Sequence, residues 1–90
     1  MTLAETIAAN DLLRKELKGG ILLMTPSVWD LEPRLRARAI YRLSLYKTFE
    51  DEDDDHSSGV FVFAGYVFFF EIREFAGERS ITLMMKEDVV

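Results

Sequence analysis

The chain has no cysteine. Neither a disulfide framework nor a thiolate metal centre is available to it, and a reducing cytoplasm suits it. It has a single histidine, His56. A zinc site would need further nitrogen or sulfur ligands, and the three acids before His56 are consecutive rather than spaced as a calcium loop requires. No Ser-His-Asp constellation and no glycine-rich phosphate loop stands in a suitable context. No apolar run approaches the roughly 20 residues of a membrane span. The opening Met1-Thr2-Leu3-Ala4-Glu5 carries an early acid and no basic segment, so no signal peptide is expected there. Basic residues are in deficit, 11 Lys and Arg against 16 Asp and Glu, for a net charge of -5. That sign disfavours direct nucleic-acid binding and suits a basic surface on another protein. There are no internal repeats.

What is present is an apolar chain of one domain's length, residues 1–90. Apolar residues make up 49% and aromatics 12%, enough for a folded core. Six of the seven phenylalanines fall between Gly59 and Phe75. Two β-rich runs there flank Ala64-Gly65, where Gly65 adopts positive φ at no cost, which predicts a hairpin. A lone hairpin is unstable in water and needs further strands and a cover.

The remaining elements follow from periodicity and punctuation. Thr2 with Glu5 spells a capping box, and Leu3, Ile7, Leu13 and Leu17 form a helical stripe, predicting a helix over 3–18 stopped by Gly19-Gly20. Asn10, Arg14, Lys15 and Lys18 are expected to face water. Ile21 to Thr25 reads as a buried strand ended by Pro26, and Ser27 to Leu31 as a turn or one helical turn, with Trp29 at the core edge. Pro33 suits the first position of a second helix running to about Lys47, its stripe Leu35, Ala39, Leu43 and Tyr46 widened by Ile40. Arg34, Arg36, Arg38 and Arg42 lie on its other surface, where ion pairing with the acids that follow is expected. Phe49 closes that helix against the core. Six acids in a row, Glu50 to Asp55, open a flexible, solvated loop over 50–58. Ala76 to Arg79 is a tight connection, and Ser80 to Lys86 alternates as a last strand. The predicted fold is α+β: two helices on one face of an approximately four-stranded, mostly antiparallel sheet, in the order αβαβββ.

Several residues together resemble a known family. Asn10-Asp11-Leu12-Leu13-Arg14, Gly19-Gly20 and Thr25-Pro26-Ser27-Val28 are similar to the opening of a family of short bacterial proteins of unknown function, borne on plasmids and phages. The similarity continues at Phe49, Gly59-x-Phe61, Gly65-x-x-Phe68-Phe69-Phe70-x-Ile72 and Ile81-Thr82-Leu83-Met84-Met85. The chain departs from the pattern in three places. Only His56 remains of a His-Gly-Glu-His-Asp-like stretch, Glu71 replaces a lysine, and the connection at 76–79 is short. The resemblance implies a mobile-element origin and a shared fold, and it implies no activity. A remnant enzyme of that family would hold a pocket around Asn10, Asp11 and Arg14.

These features point to a binding protein without catalysis, cofactor or metal. One expected contact is the acidic run Glu50, Asp51, Glu52, Asp53, Asp54 and Asp55, which imitates a line of phosphates. The other is the outward side of the hairpin: with Tyr66, Phe68, Phe70 and Ile72 facing the helices, Val67, Phe69, Glu71 and Arg73 face outward, joined by Val62 and Met84. The expected function is inhibition of a host nucleic-acid-handling protein or ribonucleoprotein complex in the bacterial cytoplasm, an anti-CRISPR protein being the most concrete version. The alternative is a homodimeric structural or regulatory module joined through Phe69 and its neighbours.

Overall fold

The computed structural model describes residues 1–49 and 51–88. Glu50, the first acid of the run, lies outside the described residues. Three helices and four strands follow in the order α1 (Leu3–Glu16), β1 (Ile21–Met24), α2 (Pro26–Trp29), α3 (Pro33–Leu45), β2 (Ser58–Phe63), β3 (Tyr66–Phe75) and β4 (Glu78–Met85), with a 3-10 turn at Lys86–Asp88. The fold is α+β. Of the two forms expected for Ser27 to Leu31, a turn or one helical turn, the chain adopts the second, α2, which starts one residue earlier at Pro26, where no hydrogen-bonded N–H is needed.

The sheet order is β1-β4-β3-β2. β2, β3 and β4 form an antiparallel meander, and β1 lies parallel to β4, from Ile21 opposite Ser80 to Met24 opposite Leu83. Both hairpins turn on an Ala-Gly pair at positive φ: Ala64 53° and Gly65 81°, Ala76 51° and Gly77 81°. Positive φ at both central residues is the geometry whose twist matches the flanking strands.

The helices start as spelled. Thr2 Oγ1 accepts from Glu5 N at 3.1 Å while Glu5 Oε1 accepts from Thr2 N at 3.2 Å. The Glu32 carboxylate accepts from Arg34 N and Leu35 N at the start of α3. The end of α1 differs from expectation. It stops at Glu16, and Leu17, not a glycine, takes the left-handed conformation, with φ 55°. α3 ends at Leu45 rather than near Lys47.

Alternation along the strands separates the two sheet faces. Phe68, Phe70 and Ile72 of β3 and Ile81, Leu83 and Met85 of β4 are buried with Leu13 of α1, Val28 of α2, and Ala39 and Leu43 of α3. All three helices therefore cover one face. Burial of Phe68 and Phe70 stabilises the fold by roughly 2–3 kcal/mol each in transfer terms. Gly59 is required where β2 passes this core, since a Cβ there would come within 2.5 Å of the Tyr46 ring and 2.6 Å of the Phe70 ring. Trp29 is not at the core edge. It is exposed, with the Arg36 guanidinium 4.8 Å above its ring.

Candidate partner-binding surfaces

The acidic run lies between α3 and β2, and its second half is built in. Asp54 N donates to Asp51 O at 3.1 Å, which closes a turn. His56 N donates to Asp54 Oδ1 at 2.7 Å, and Ser57 N to Asp55 Oδ1 at 3.0 Å. Ser57 O then accepts from Ile72 N at 2.6 Å, tying the segment to β3. Asp54, Asp55, His56 and Ser57 are half-buried, while Asp51, Glu52 and Asp53 are exposed. The expected free loop is thus an anchored one, and among its described acids the exposed ones are Asp51, Glu52 and Asp53.

The anchor is a polar cluster on α1 that corrects a second expectation. Asn10 and Arg14 do not face water: they are 3% and 2% exposed. Asn10 Nδ2 donates to Asp55 O at 2.8 Å, and Arg79 Nη2 donates to Asn10 Oδ1. Asp11 Oδ1 accepts from Arg14 Nη1 at 2.8 Å and lies 2.9 Å from His56 Nδ1. The His56 ring stacks on Phe49, centroids 3.8 Å apart and planes within 7°. Burial of Asp11 works to raise its carboxyl pKa, but the bonds to His56 and Arg14 outweigh it and hold the group below its usual value. Arg14 Nε is buried without a hydrogen-bond partner among the described residues.

A signal for this cluster was present in the sequence. Ile7, Asn10, Leu13, Arg14 and Leu17 recur at spacings of three and four, which puts the two polar residues on the apolar stripe. Asn10, Asp11 and Arg14 direct their polar atoms to Asp55, Arg79, His56 and one another. A hollow of about 370 Å³ beside them is lined by Asn10, Asp55, Ser57, Arg73, Glu74 and Arg79, and Asp11, Arg14 and His56 do not border it. Among the described residues, no group of three His, Asp or Glu side chains converges as metal ligands would.

No arginine of α3 pairs with an acid among the described residues. Arg36 Nη1 donates instead to Trp29 O at 2.8 Å, and Arg42 lies 5.2 Å over the Phe63 ring. Aromatic faces and backbone carbonyls hold these cations, because the acidic run is drawn toward α1.

The second surface is the helix-free side of the sheet. Val67, Phe69, Glu71 and Arg73 point there from β3, and Met84 from β4, as strand parity requires. Registers place Val60 opposite Phe69 and Val62 opposite Val67 on β2, Met84 opposite Phe69 and Thr82 opposite Glu71 on β4. Ile21, Leu23, Val60 and Val62 are exposed, Val62 by 67%. At the far end of β3, Phe75 is 86% exposed on the same side. Glu71 Oε1 accepts from Arg73 Nε at 2.7 Å, which raises the Arg73 pKa. A shallow hollow of about 500 Å³ runs along Val60, Phe69, Glu71 and Met84, and another of about 590 Å³ lies beside Ile21, Leu23 and Phe75.

No helix among the described residues is long and apolar enough to cross a membrane. The chain matches no family model, no curated protein and no solved structure.

Proposed function

We propose that this protein is a small acidic inhibitor without catalytic activity, carried by a mobile element, that occupies a basic surface of a bacterial nucleic-acid-handling defence complex and blocks access of nucleic acid. An anti-CRISPR role is the concrete form of this reading. The observation that carries it is the acidic turn at Asp51, Glu52 and Asp53, exposed at its tip and fixed at its base by Asn10, Asp11 and His56. A charged segment ordered before binding loses less conformational freedom on docking than a free one. The net charge of -5 favours approach to a basic groove and makes the association salt-sensitive. The cluster on α1 supports a non-catalytic reading, since Asn10 and Asp11 spend their polar atoms on Asp55, Arg79, Arg14 and His56 and so hold the loop. The motif resemblance described above supports the mobile-element origin. Asp54 and Asp55 serve the anchor in this reading, and the contact falls on Asp51 to Asp53.

The test is phage plating on a panel of bacterial strains, each with one CRISPR type programmed against the phage. Expression of the protein should raise plating efficiency on one strain above that of the same strain without it. The triple variant Asp51→Lys, Glu52→Lys, Asp53→Lys should remove that protection while remaining folded. Absence of protection on every strain would overturn the inhibitor reading, and full protection by the triple variant would overturn the role of the turn.

A further inference from the structure

We infer that the helix-free sheet face is the contact between two copies of this chain, related by a two-fold axis passing near Ile72. This goes beyond the acidic turn, which lies outside the strands, and does not depend on it.

The face is apolar where the rest of the chain is strongly acidic. It presents Ile21, Leu23, Val60, Val62, Phe69 and Phe75 outward, with Glu71 and Arg73 already paired at its centre. A partner chosen for the charge of this protein would be basic, and nothing acidic on this face would attract it beyond Glu71 and Glu78. A second copy brings a face that is equally apolar and locally balanced in charge. Two sheets pack face to face at about 10 Å separation through such side chains.

The pattern on β3 is self-complementary. A two-fold contact brings residue i opposite j and j opposite i. Laying β3 antiparallel across its copy, with Ile72 at the axis, sets Glu71 opposite the partner's Arg73 and Arg73 opposite the partner's Glu71. The same operation sets Phe75 opposite the partner's Phe69. An exposed phenylalanine at the end of the strand then gains an aromatic neighbour and covers the half-buried one. Each ion pair within a copy becomes a four-charge cluster across the axis. With Ile72 at the axis, residues 69 to 75 of β3 overlie their copies, so four strands about 4.8 Å apart and about seven residues long at about 3.4 Å each overlap by roughly 19 by 24 Å, less than a standard interface of about 800 Å² per partner, which makes the dimer one that dissociates on dilution.

Sedimentation velocity over a range of concentrations tests this. The wild type should sediment as a dimer of the 10.4 kDa chain, and Phe69→Glu as a monomer. Glu71→Arg alone and Arg73→Glu alone should each be monomeric, because like charges then face each other across the axis. Mixed in equal amounts, these two variants should recover a dimer, which repair of a contact within one chain cannot produce. All three positions are on the outer face, and circular dichroism with urea unfolding confirms that each variant is folded. A wild type that is monomeric at every concentration overturns the proposal. So does a dimer that Phe69→Glu and both single charge variants leave intact, since the contact then lies elsewhere.

Discussion

Asp11 is the residue at which the first helix and the acidic segment meet, and its titration carries a consequence. Its folded-state pKa lies below the unfolded value, held there by His56 and Arg14 against the effect of burial. A depressed carboxyl contributes stability that is complete above the unfolded pKa, about 3.9, and is lost as pH falls through the lower folded value. Asp88 has the same sign: its carboxylate accepts from Ser27 Oγ at 2.5 Å, from Met85 N at 2.8 Å and from Thr25 Oγ1 at 2.7 Å, and its pKa is lowered. Acid destabilisation is therefore expected below about pH 4. The double variant Asp11→Asn, Asp88→Asn should show a flatter fall of melting temperature over that range than the wild type. An unchanged slope would remove these two groups as its cause.

At the scale of elements, the two Ala-Gly turns are the clearest place where local chemistry falls short of what the backbone asks. Ala64 and Ala76 are held at φ 53° and 51°, a conformation that costs an L-residue roughly 1–2 kcal/mol. Asparagine tolerates it and is the preferred first residue of such a turn. Ala64→Asn and Ala76→Asn should each raise stability by about 0.5–1 kcal/mol. The gains should be nearly additive, because the turns sit at opposite ends of β3. Urea unfolding measures both. The hairpin at Ala64-Gly65 was legible because Gly65 stands between two period-2 runs, and parity then assigned Phe68, Phe70 and Ile72 to the core and Phe69 to the outside. The capping box and Pro33 were legible because each acts over three or four residues. The polar cluster was not anticipated, although Asn10 and Arg14 share a helical stripe with Leu13. The partners of Asn10 and the His56 partner of Asp11 lie 45 residues or more away in the chain, and no local rule reports such a pairing. The left-handed Leu17 was missed for a related reason: the glycines beyond it offered an easier stop, and nothing local marks Leu17 for the positive φ that ends the helix there, its N–H still bonding Leu13 O at 2.9 Å as in the turn before.

For the whole molecule, the parallel pairing of β1 with β4 joins the early part of the chain to its last strand. That junction is tight. A Cβ on Gly20 would lie 2.5 Å from the carbonyl oxygen of Arg79 and 3.1 Å from the Leu13 side chain. Backbone cannot move aside as a side-chain tip can, so Gly20→Ala should destabilise by about 2 kcal/mol, within the usual cost of overpacking. Gly19→Ala meets no neighbouring atom but sits at φ 85°, so its loss should come from backbone strain alone. Comparing the two by urea unfolding separates crowding from conformation. A Gly20→Ala variant as stable as the wild type would mean that the β1–β4 contact is looser than its geometry.

The same pairing bears on how the protein is made. As the nascent chain leaves the ribosome, Ile21–Met24 emerges first and has no strand to lie against until Glu78–Met85 follows. The meander can zip up as it appears, but the sheet is closed only by its final piece. Until Glu78–Met85 has emerged, an apolar edge stays open to chaperones and to neighbouring nascent chains.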